Sequence, residues 1–418
     1  MKKLVTLSIA CSVALAACSR AVAPSYMPSP LANGAFPLQK LSPSAYRTLY
    51  NFDDASGGGI TPYGGVIENN GTLYGMTHGG GFSSACVGGC GTIYSLTTAG
   101  AQTELYSFGS YKGDGMYPVG ELLNIDGTFY GTTRAGGSSK ACSMGCGTVF
   151  SLDKAGKEHV LYSFGSYRGD ATSPRAGLID VAGTLYGTTE TGGSKNRGTV
   201  FAFSITSGRE RVIYTFGSYK GDGLYPVADL TNLHGILYGT TLKGGSYSAG
   251  TAFKVLRKSG RQTTIHSFGG GPDGAFPAAG LTFAQGSLYG TTTGGGTLDG
   301  GTVFVMTPSG IEGTLYSFGK KKGDGKNPQA SLTPYPGIFL TLYGTTARGG
   351  LHGKGSIFSI TGSGAEQVQY SFAGSNGATP YARLLLIGKR LYGTTANGGS
   401  GKCSGPEPGC GTAFVFAP

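Results

Sequence analysis

The sequence predicts an all-β protein, a seven-bladed β-propeller with four antiparallel strands per blade, and three observations carry that prediction. A pentad, Leu-Tyr-Gly-Thr-Thr or a close variant, recurs with its tyrosine at positions 74, 130, 186, 238, 289, 343 and 392. Three further segments keep the same beat of about 50 residues, so each period holds four short elements. The array is also out of phase at its ends, as a ring that closes on itself requires.

Each element reads as a strand because it is short, rich in aromatic and β-branched residues, and bounded by Gly, Asn, Asp or Pro. The first element of a blade is a Pro-x-x-x-Leu/Val segment starting at Pro62, Pro118, Pro174, Pro226, Pro277, Pro328 and Pro380. The pentad is the second. A Gly-Thr/Ser-x-aromatic segment, reaching Tyr94, Phe150, Phe201, Phe253, Phe304, Phe358 and Phe414, is the third. A Leu-Tyr-Ser-Phe-like segment is the fourth, ending at Phe52, Phe108, Phe164, Phe216, Phe268, Phe318 and Phe372. No stretch sustains a 3.6-residue period with caps, which excludes helical solenoids. Four strands per repeat, seven times over, is a propeller signature. A lone fourth-type strand (Tyr46 to Phe52) opens the array, and the last blade lacks one. The N-terminal strand therefore completes blade 7 and removes free sheet edges.

The residues before the array form an address and a tether. Lys2 and Lys3 precede a mostly apolar run from Leu4 to Ala17, a secretory signal too short to span a bilayer as a helix. Leu15-Ala16-Ala17-Cys18 resembles a bacterial lipobox, so residues 1–17 read as a lipoprotein signal peptide and Cys18 as the lipidation site. Ser19 then implies outer-membrane sorting, facing the periplasm or the cell surface. Cleavage after Ala21-Val22-Ala23, which leaves no lipid, is the competing reading. Residues 18–45 carry five prolines and form a tether; residues 46–418 form the propeller.

Composition narrows the function classes. Of 418 residues 79 are Gly, about 19% against the usual ~7%. Without a Gly-X-Y period this excludes collagen. The 25 Tyr and 21 Phe with only 13% charged residues exclude disorder. Tight reversals account for the glycines. The formal charge is +11; without Lys2 and Lys3, 30 basic side chains face 21 acidic ones, a net +9. That favours anionic partners at long range, but the charges are scattered over many loops and an exported chain seldom meets nucleic acid, so none is expected as a partner.

Thr184-Leu-Tyr-Gly-Thr-Thr189, Gly192-Gly193 and Gly198-Thr-Val-Phe201 are close to the repeat of the GloVer tandem-repeat family of exported bacterial proteins, and the chain resembles a lipoprotein-anchored version of these choice-of-anchor repeat proteins. The resemblance spans Tyr46 to the C-terminus. It implies a tandem-repeat exported protein and carries no activity. Blade 6 departs by an insertion around Pro334 to Leu340, and blade 4 has Ile265-His266 where Leu-Tyr is usual.

In an antiparallel meander alternate loops share a face, so the loops between strands two and three lie with those joining strand four to the next blade. The two-to-three loops are elongated in blades 7, 1 and 2, which become neighbours once the ring closes. They hold Cys86, Cys90, Cys142, Cys146, Cys403 and Cys410. An even count in an exported chain argues for disulfides, with local pairing 86–90, 142–146 and 403–410 favoured among 15 connectivities. A four-cysteine zinc site across blades 1 and 2 is the alternative. Cys11 leaves with the signal.

On that face three crossing loops pair an aromatic with a base: Tyr111-Lys112, Tyr167-Arg168 and Tyr219-Lys220. Such pairs can stack on sugars and bind carboxylates or phosphates; turn chemistry repeated by duplication is the plainer reading. Asp114, Asp170, Asp222, Asp273 and Asp324 share one loop position, where turn capping outweighs calcium binding, since one carboxylate per loop falls short of six to eight oxygens. His78, Arg134 and Glu190 occupy the same slot after the pentad in blades 1, 2 and 3 and form a candidate binding or acid/base set. The sequence has no His-Glu-x-x-His, nucleophile elbow or phosphate loop, so no catalytic residue, metal or cofactor is assigned. The expectation is a monomeric, membrane-tethered, non-catalytic binding or interaction module at the cell envelope, with anionic polysaccharide or an envelope protein as partner. The alternatives are a carbohydrate-active hydrolase or lyase on the same face, or a structural surface protein.

Overall fold

The recurring pentad is explained by its neighbours. Its first residue is buried in every blade, as at Leu73, Phe129 and Leu391. Its glycine lies beneath the aromatic ring of the third strand: a Cβ on Gly131 would come within 2.5 Å of the Phe150 ring, and one on Gly393 within 2.5 Å of Phe414. Its second threonine is buried and pairs sideways with the residue opening the third strand, Thr133 with Thr148 at 2.8 Å and Thr395 with Thr412 at 2.9 Å. Its first threonine reaches the next blade, where Thr132, Thr188 and Thr240 donate to the carbonyls of Ala176, Ala228 and Ala279 at 2.9–3.0 Å. Blade 1 carries Met76 there and has no hydroxyl to give.

The computed structural model describes residues 46–54, 57–403 and 409–418. The signal peptide, Cys18 and the proline-rich tether lie outside the described residues. The architecture is the seven-bladed propeller, each blade a meander of four antiparallel strands. Blade 1 runs Ile67–Asn69, Thr72–Thr77, Thr92–Thr97 and Gln102–Ser107 from the axis outward. Blade 7 is completed by the N-terminal strand: Tyr46–Asn51 pairs antiparallel with Thr412–Phe416, Tyr46 opposite Phe416. The Tyr46 ring stacks on Tyr370 at 4.0 Å and its hydroxyl donates to the Asn376 carbonyl at 2.6 Å. Among the described residues no α-helix occurs, and Gly271–Asp273 forms a 3₁₀ turn.

The core lies between blades rather than along the axis. Each fourth strand ends in a buried phenylalanine that meets the third-strand aromatic of the following blade: Phe52 with Tyr94, Phe108 with Phe150, Phe164 with Phe201 and Phe216 with Phe253, at 4.9–5.1 Å between centroids. The same pairing continues through Phe268–Phe304, Phe318–Phe358 and Phe372–Phe414. Such contacts contribute about 0.5–1.5 kcal/mol each beyond burial. The blade 6 insertion forms the turn between Thr333–Tyr335 and Thr341–Thr346, and Ile338 and Phe339 stand exposed at its tip.

The innermost strand of every blade is interrupted, and this interruption makes the site. Before each inner proline stands a non-glycine residue with positive φ: Thr61, Tyr117, Ser173, Tyr225, Phe276, Asn327 and Thr379, between 52° and 59°. That conformation is strained by about 1–3 kcal/mol per residue and is disfavoured further before proline. It is held by a hydrogen bond to the preceding blade, as Tyr117 N–H donates to the Cys90 carbonyl at 2.8 Å. The chain is thereby turned toward the axis, and the Pro-x-x-x-Leu/Val segments line a central channel.

Candidate ligand-binding site in the central channel

The inner segments share the frame Pro-x-(Ala/Gly)-x-(Leu/Val), and its two free positions face the channel. The first forms the mouth, with Tyr63, Arg175, Gln329 and Tyr381 among the smaller Val119, Val227 and Ala278. The second forms a waist of Gly65, Glu121, Gly177, Asp229, Gly280, Ser331 and Arg383. A cavity of about 500 Å³ lies on the mouth side and one of about 320 Å³ on the other, and both are bordered by Glu121, Asp229, Gly280, Ser331 and Arg383.

His78 and Arg134, from the slot after the pentad, complete the mouth. Glu190, from the same slot in blade 3, is gripped by Arg175 at 3.2 Å and Arg134 at 3.7 Å. The His78 ring packs against Tyr63 and Tyr117, each at 5.1 Å, and Tyr63 lies 5.5 Å from Tyr381. Burial lowers the His78 pKa to about 4, helped by the charges of Arg134 and Arg175 and opposed by the Pro118 carbonyl near Nδ1. At neutral pH the ring is uncharged. The mouth therefore offers aromatic faces, a neutral imidazole and two guanidiniums sharing one carboxylate, a set suited to holding a sugar ring and an anionic group.

At the waist Arg383 donates to Glu121 at 2.8 Å. Asp229 accepts the Gly177 N–H at 2.6 Å. Burial raises its pKa, the Glu121 charge adds to that effect, and the Gly177 bond and Arg383 oppose it. Asp229 is half-buried and lines both cavities. Glycines make this layer fit: a Cβ on Gly65 would come 2.4 Å from Glu121 Oε1, and one on Gly280 2.9 Å from the Asp229 carbonyl.

Cys86–Cys90, Cys142–Cys146 and Cys403–Cys410 form disulfides, the chemistry of an oxidising compartment and so of an exported chain. They are wired to the mouth through the backbone. The carbonyls of Cys410, Cys90 and Cys146 accept the N–H groups of Thr61, Tyr117 and Ser173, each at 2.8 Å. The three elongated loops thus brace blades 1, 2 and 3, which supply His78, Arg134, Arg175 and Glu190.

The crossing-loop candidates lie elsewhere, and their hydroxyls are already used. Tyr111 donates to Glu158 and Tyr167 to Glu210, both at 2.9 Å, on the outer strand of the next blade. Tyr219 bonds Gln262 and Thr264 at 2.9 Å. Lys321 makes the corresponding contact to Glu366 at 2.8 Å. These residues clip blades together, while Lys112, Arg168 and Lys220 stand exposed beside them. The structure therefore brings His78, Arg134 and Glu190 together and leaves the tyrosine–base pairs apart from them.

The loop aspartates cap turns. Asp114 accepts the Tyr106 hydroxyl at 2.7 Å and the N–H groups of Ser110 and Gly115 at 2.8 and 2.6 Å. Asp170 and Asp222 repeat the pattern with Tyr162 and Tyr214. In the next junction His266 replaces the tyrosine and bonds Asp273 at 3.0 Å. Among the described residues His266, Asp273 and Glu312 bring ligand-type atoms within 4.8 Å of one another. They occupy the positions of Tyr106, Asp114 and Glu158, so the group reads as the same clip with a histidine in it.

Sequence reasoning missed the waist. The signal was present: within a constant Pro-x-(Ala/Gly)-x-(Leu/Val) frame, charge appears only at the free positions, as Glu121, Arg175, Asp229 and Arg383. Reading it needed the knowledge that this strand is innermost and that both positions turn inward.

Fold and site together define an exported seven-bladed propeller with a polar, aromatic-mouthed central channel. Residues 32–236 and 220–414 each match the family profile described as the Gloeobacter/Verrucomicrobia repeat. The chain belongs to that repeat family. No curated protein matches it. Among solved structures it is similar to the extracellular domain of BT4673 from B. thetaiotaomicron, at 8% identity and TM-score 0.52, over 88% of this chain and 40% of that one. It also matches a nidogen/laminin complex chain at 14% identity and TM-score 0.41, over 67% of this chain and 89% of that one. TolB from Acinetobacter baumannii matches at 11% identity and TM-score 0.40, over 67% and 60%. At these identities the first shows shared fold alone.

Proposed function

We propose that this protein is an envelope lipoprotein, anchored through Cys18 in the outer membrane, whose propeller is a non-catalytic binding module for anionic glycans. The observation that carries the reading is the mouth of the channel. Arg134 and Arg175 face a cavity of about 500 Å³ beside Tyr63 and Tyr381, and disulfide-closed loops brace that side of the ring. A guanidinium recognises a carboxylate by paired N–H donors, and tyrosine rings stack on the apolar face of a sugar. Both guanidiniums share Glu190, so the pair keeps net positive charge for a ligand. Half-buried and neutral at working pH, His78 serves as a hydrogen-bonding wall.

Binding of the purified full-length protein to a panel of uronic-acid and neutral polysaccharides tests the reading. Retention on uronic-acid polymers, reduced about tenfold or more by the double substitution Arg134→Ala and Arg175→Ala, is the expected result. Binding unaffected by those changes removes the mouth from the proposal. The anchor is tested separately: Cys18→Ser should release the protein from the membrane fraction and abolish incorporation of a labelled fatty acid.

A further inference from the structure

The mouth and the waist of the channel carry opposite charge. At the mouth Arg134 and Arg175 face one carboxylate, Glu190. At the waist two carboxylates, Glu121 and Asp229, face one guanidinium, Arg383, which is committed to Glu121 at 2.8 Å. Among the described residues Asp229 enters no ion pair, and its one hydrogen bond comes from the Gly177 N–H. We propose that the channel takes a zwitterionic ligand, an amino sugar acid with a free amine, with its carboxylate at Arg134 and Arg175 and its ammonium group at Asp229. This assignment rests on the anionic-glycan reading of the mouth and extends it one layer deeper.

Three features favour an ammonium group at that point. A partly buried carboxylate with no ion-pair partner of its own, its nearest guanidinium committed to Glu121, is costly to hold, and an incoming cation supplies the direct contact. Burial and the neighbouring Glu121 charge already work against ionisation of Asp229, so the site gains most from a cationic partner. Room for that partner exists because glycines flank the aspartate: a Cβ on Gly177 would stand 3.2 Å from Asp229 Oδ1, and one on Gly280 would stand 3.1 Å from Ser331 Oγ. A divalent metal fits poorly. The unpaired carboxylate oxygens of Asp229 and Glu121 and a serine hydroxyl fall well short of the six or more oxygens a hard cation takes, and Arg383 opposes a second positive charge of that density.

Titration calorimetry on the full-length protein with three probes tests the proposal. Muramic acid carries a free amine and a carboxylate, N-acetylmuramic acid has the amine capped, and glucosamine lacks the carboxylate. Muramic acid should bind at least about tenfold more tightly than either. Asp229→Asn, which keeps an oxygen for the Gly177 N–H, should erase the advantage over N-acetylmuramic acid. Arg175→Ala should erase the advantage over glucosamine, with an unchanged melting temperature showing that each variant is folded. Equal binding of muramic and N-acetylmuramic acid, or an advantage that survives Asp229→Asn, overturns the ammonium site and leaves the carboxylate-binding mouth in place. Binding of uronic-acid polymers without binding of muramic acid does the same. No binding of any probe or polymer by the folded protein overturns both.

Discussion

One methyl group is enough to test the packing beneath each pentad. Gly290→Ala would bring a Cβ to 2.4 Å from the Phe304 ring, which is itself wedged against Phe268. Overpacking of this kind costs about 1–3 kcal/mol, so the variant should melt at a lower temperature while keeping its β-sheet circular dichroism. The pentad glycines have ordinary φ and are absent from the left-handed set that the hairpin glycines Gly127, Gly183 and Gly235 occupy. The expectation that glycine serves tight reversals therefore holds for the hairpins and fails for the pentad, where the requirement is steric. Thr394 offers a second test, because its hydroxyl donates across the ring closure to the Gly64 carbonyl at 2.9 Å. Thr394→Val keeps the shape and leaves that carbonyl unpaired, a loss of about 1–3 kcal/mol, to be read by chemical denaturation. Met76 shows that the propeller tolerates one such missing bond.

At the scale of the element, the closing strand and the cysteine loops carry distinct burdens. Tyr46 stacks on Tyr370, bonds Asn376 and packs on Phe414 at 5.4 Å. Replacing it with alanine removes all three and frees the edge of blade 7. The expected outcome is a lower melting temperature and concentration-dependent association by size-exclusion chromatography, since an open strand edge recruits other chains. Each short disulfide loop contributes about 2 kcal/mol in the chain-entropy model, too little to account for the fold. Its larger effect is local. The Cys90 carbonyl holds the strained backbone of Tyr117, so the Cys86→Ser and Cys90→Ser pair should weaken glycan binding at the mouth more than it lowers stability. The cysteine pairing and the face of these loops were legible from count, spacing and strand parity. Their hydrogen bonds to the mouth were not, because they join segments that only the packing of neighbouring blades brings together.

For the whole molecule, the blade junctions set the pH response. Burial raises the pKa of Glu158 to about 7, with added repulsion from Asp114, and that of Glu210 to about 8, with added repulsion from Asp170. Burial and Asp273 raise Glu312 to about 7 as well. An acid with a folded-state pKa above its unfolded value stabilises the native state fully below the unfolded pKa, near 4.5, and loses that contribution as pH rises through the folded value. His78 works in the opposite sense: its pKa is lowered to about 4, so its contribution is complete above about 6.5 and is lost as pH falls through 4. Three carboxyls outweigh one imidazole. The melting temperature should therefore be highest near pH 5 and should fall between pH 5 and pH 8; a melting temperature that rises over that interval would contradict the junction electrostatics. Glu158→Gln should flatten part of the slope.

The sequence by itself determined the number of blades, their four strands and the strand that closes the ring. These depend on local pattern: alternation, turn residues and a repeat whose phase is visible along the chain. It also marked His78, Arg134 and Glu190 as one structural slot, because duplication makes equivalent positions recognisable. Only the tertiary structure decided what that slot does. Ring closure turns the inner segments of all seven blades toward one axis, and there Arg134 and Arg175 meet on Glu190 and Arg383 meets Glu121 across a glycine. Residues so far apart in the chain have no shared local signal. Their charges acquire meaning only when a closed ring places them within hydrogen-bonding reach around one channel.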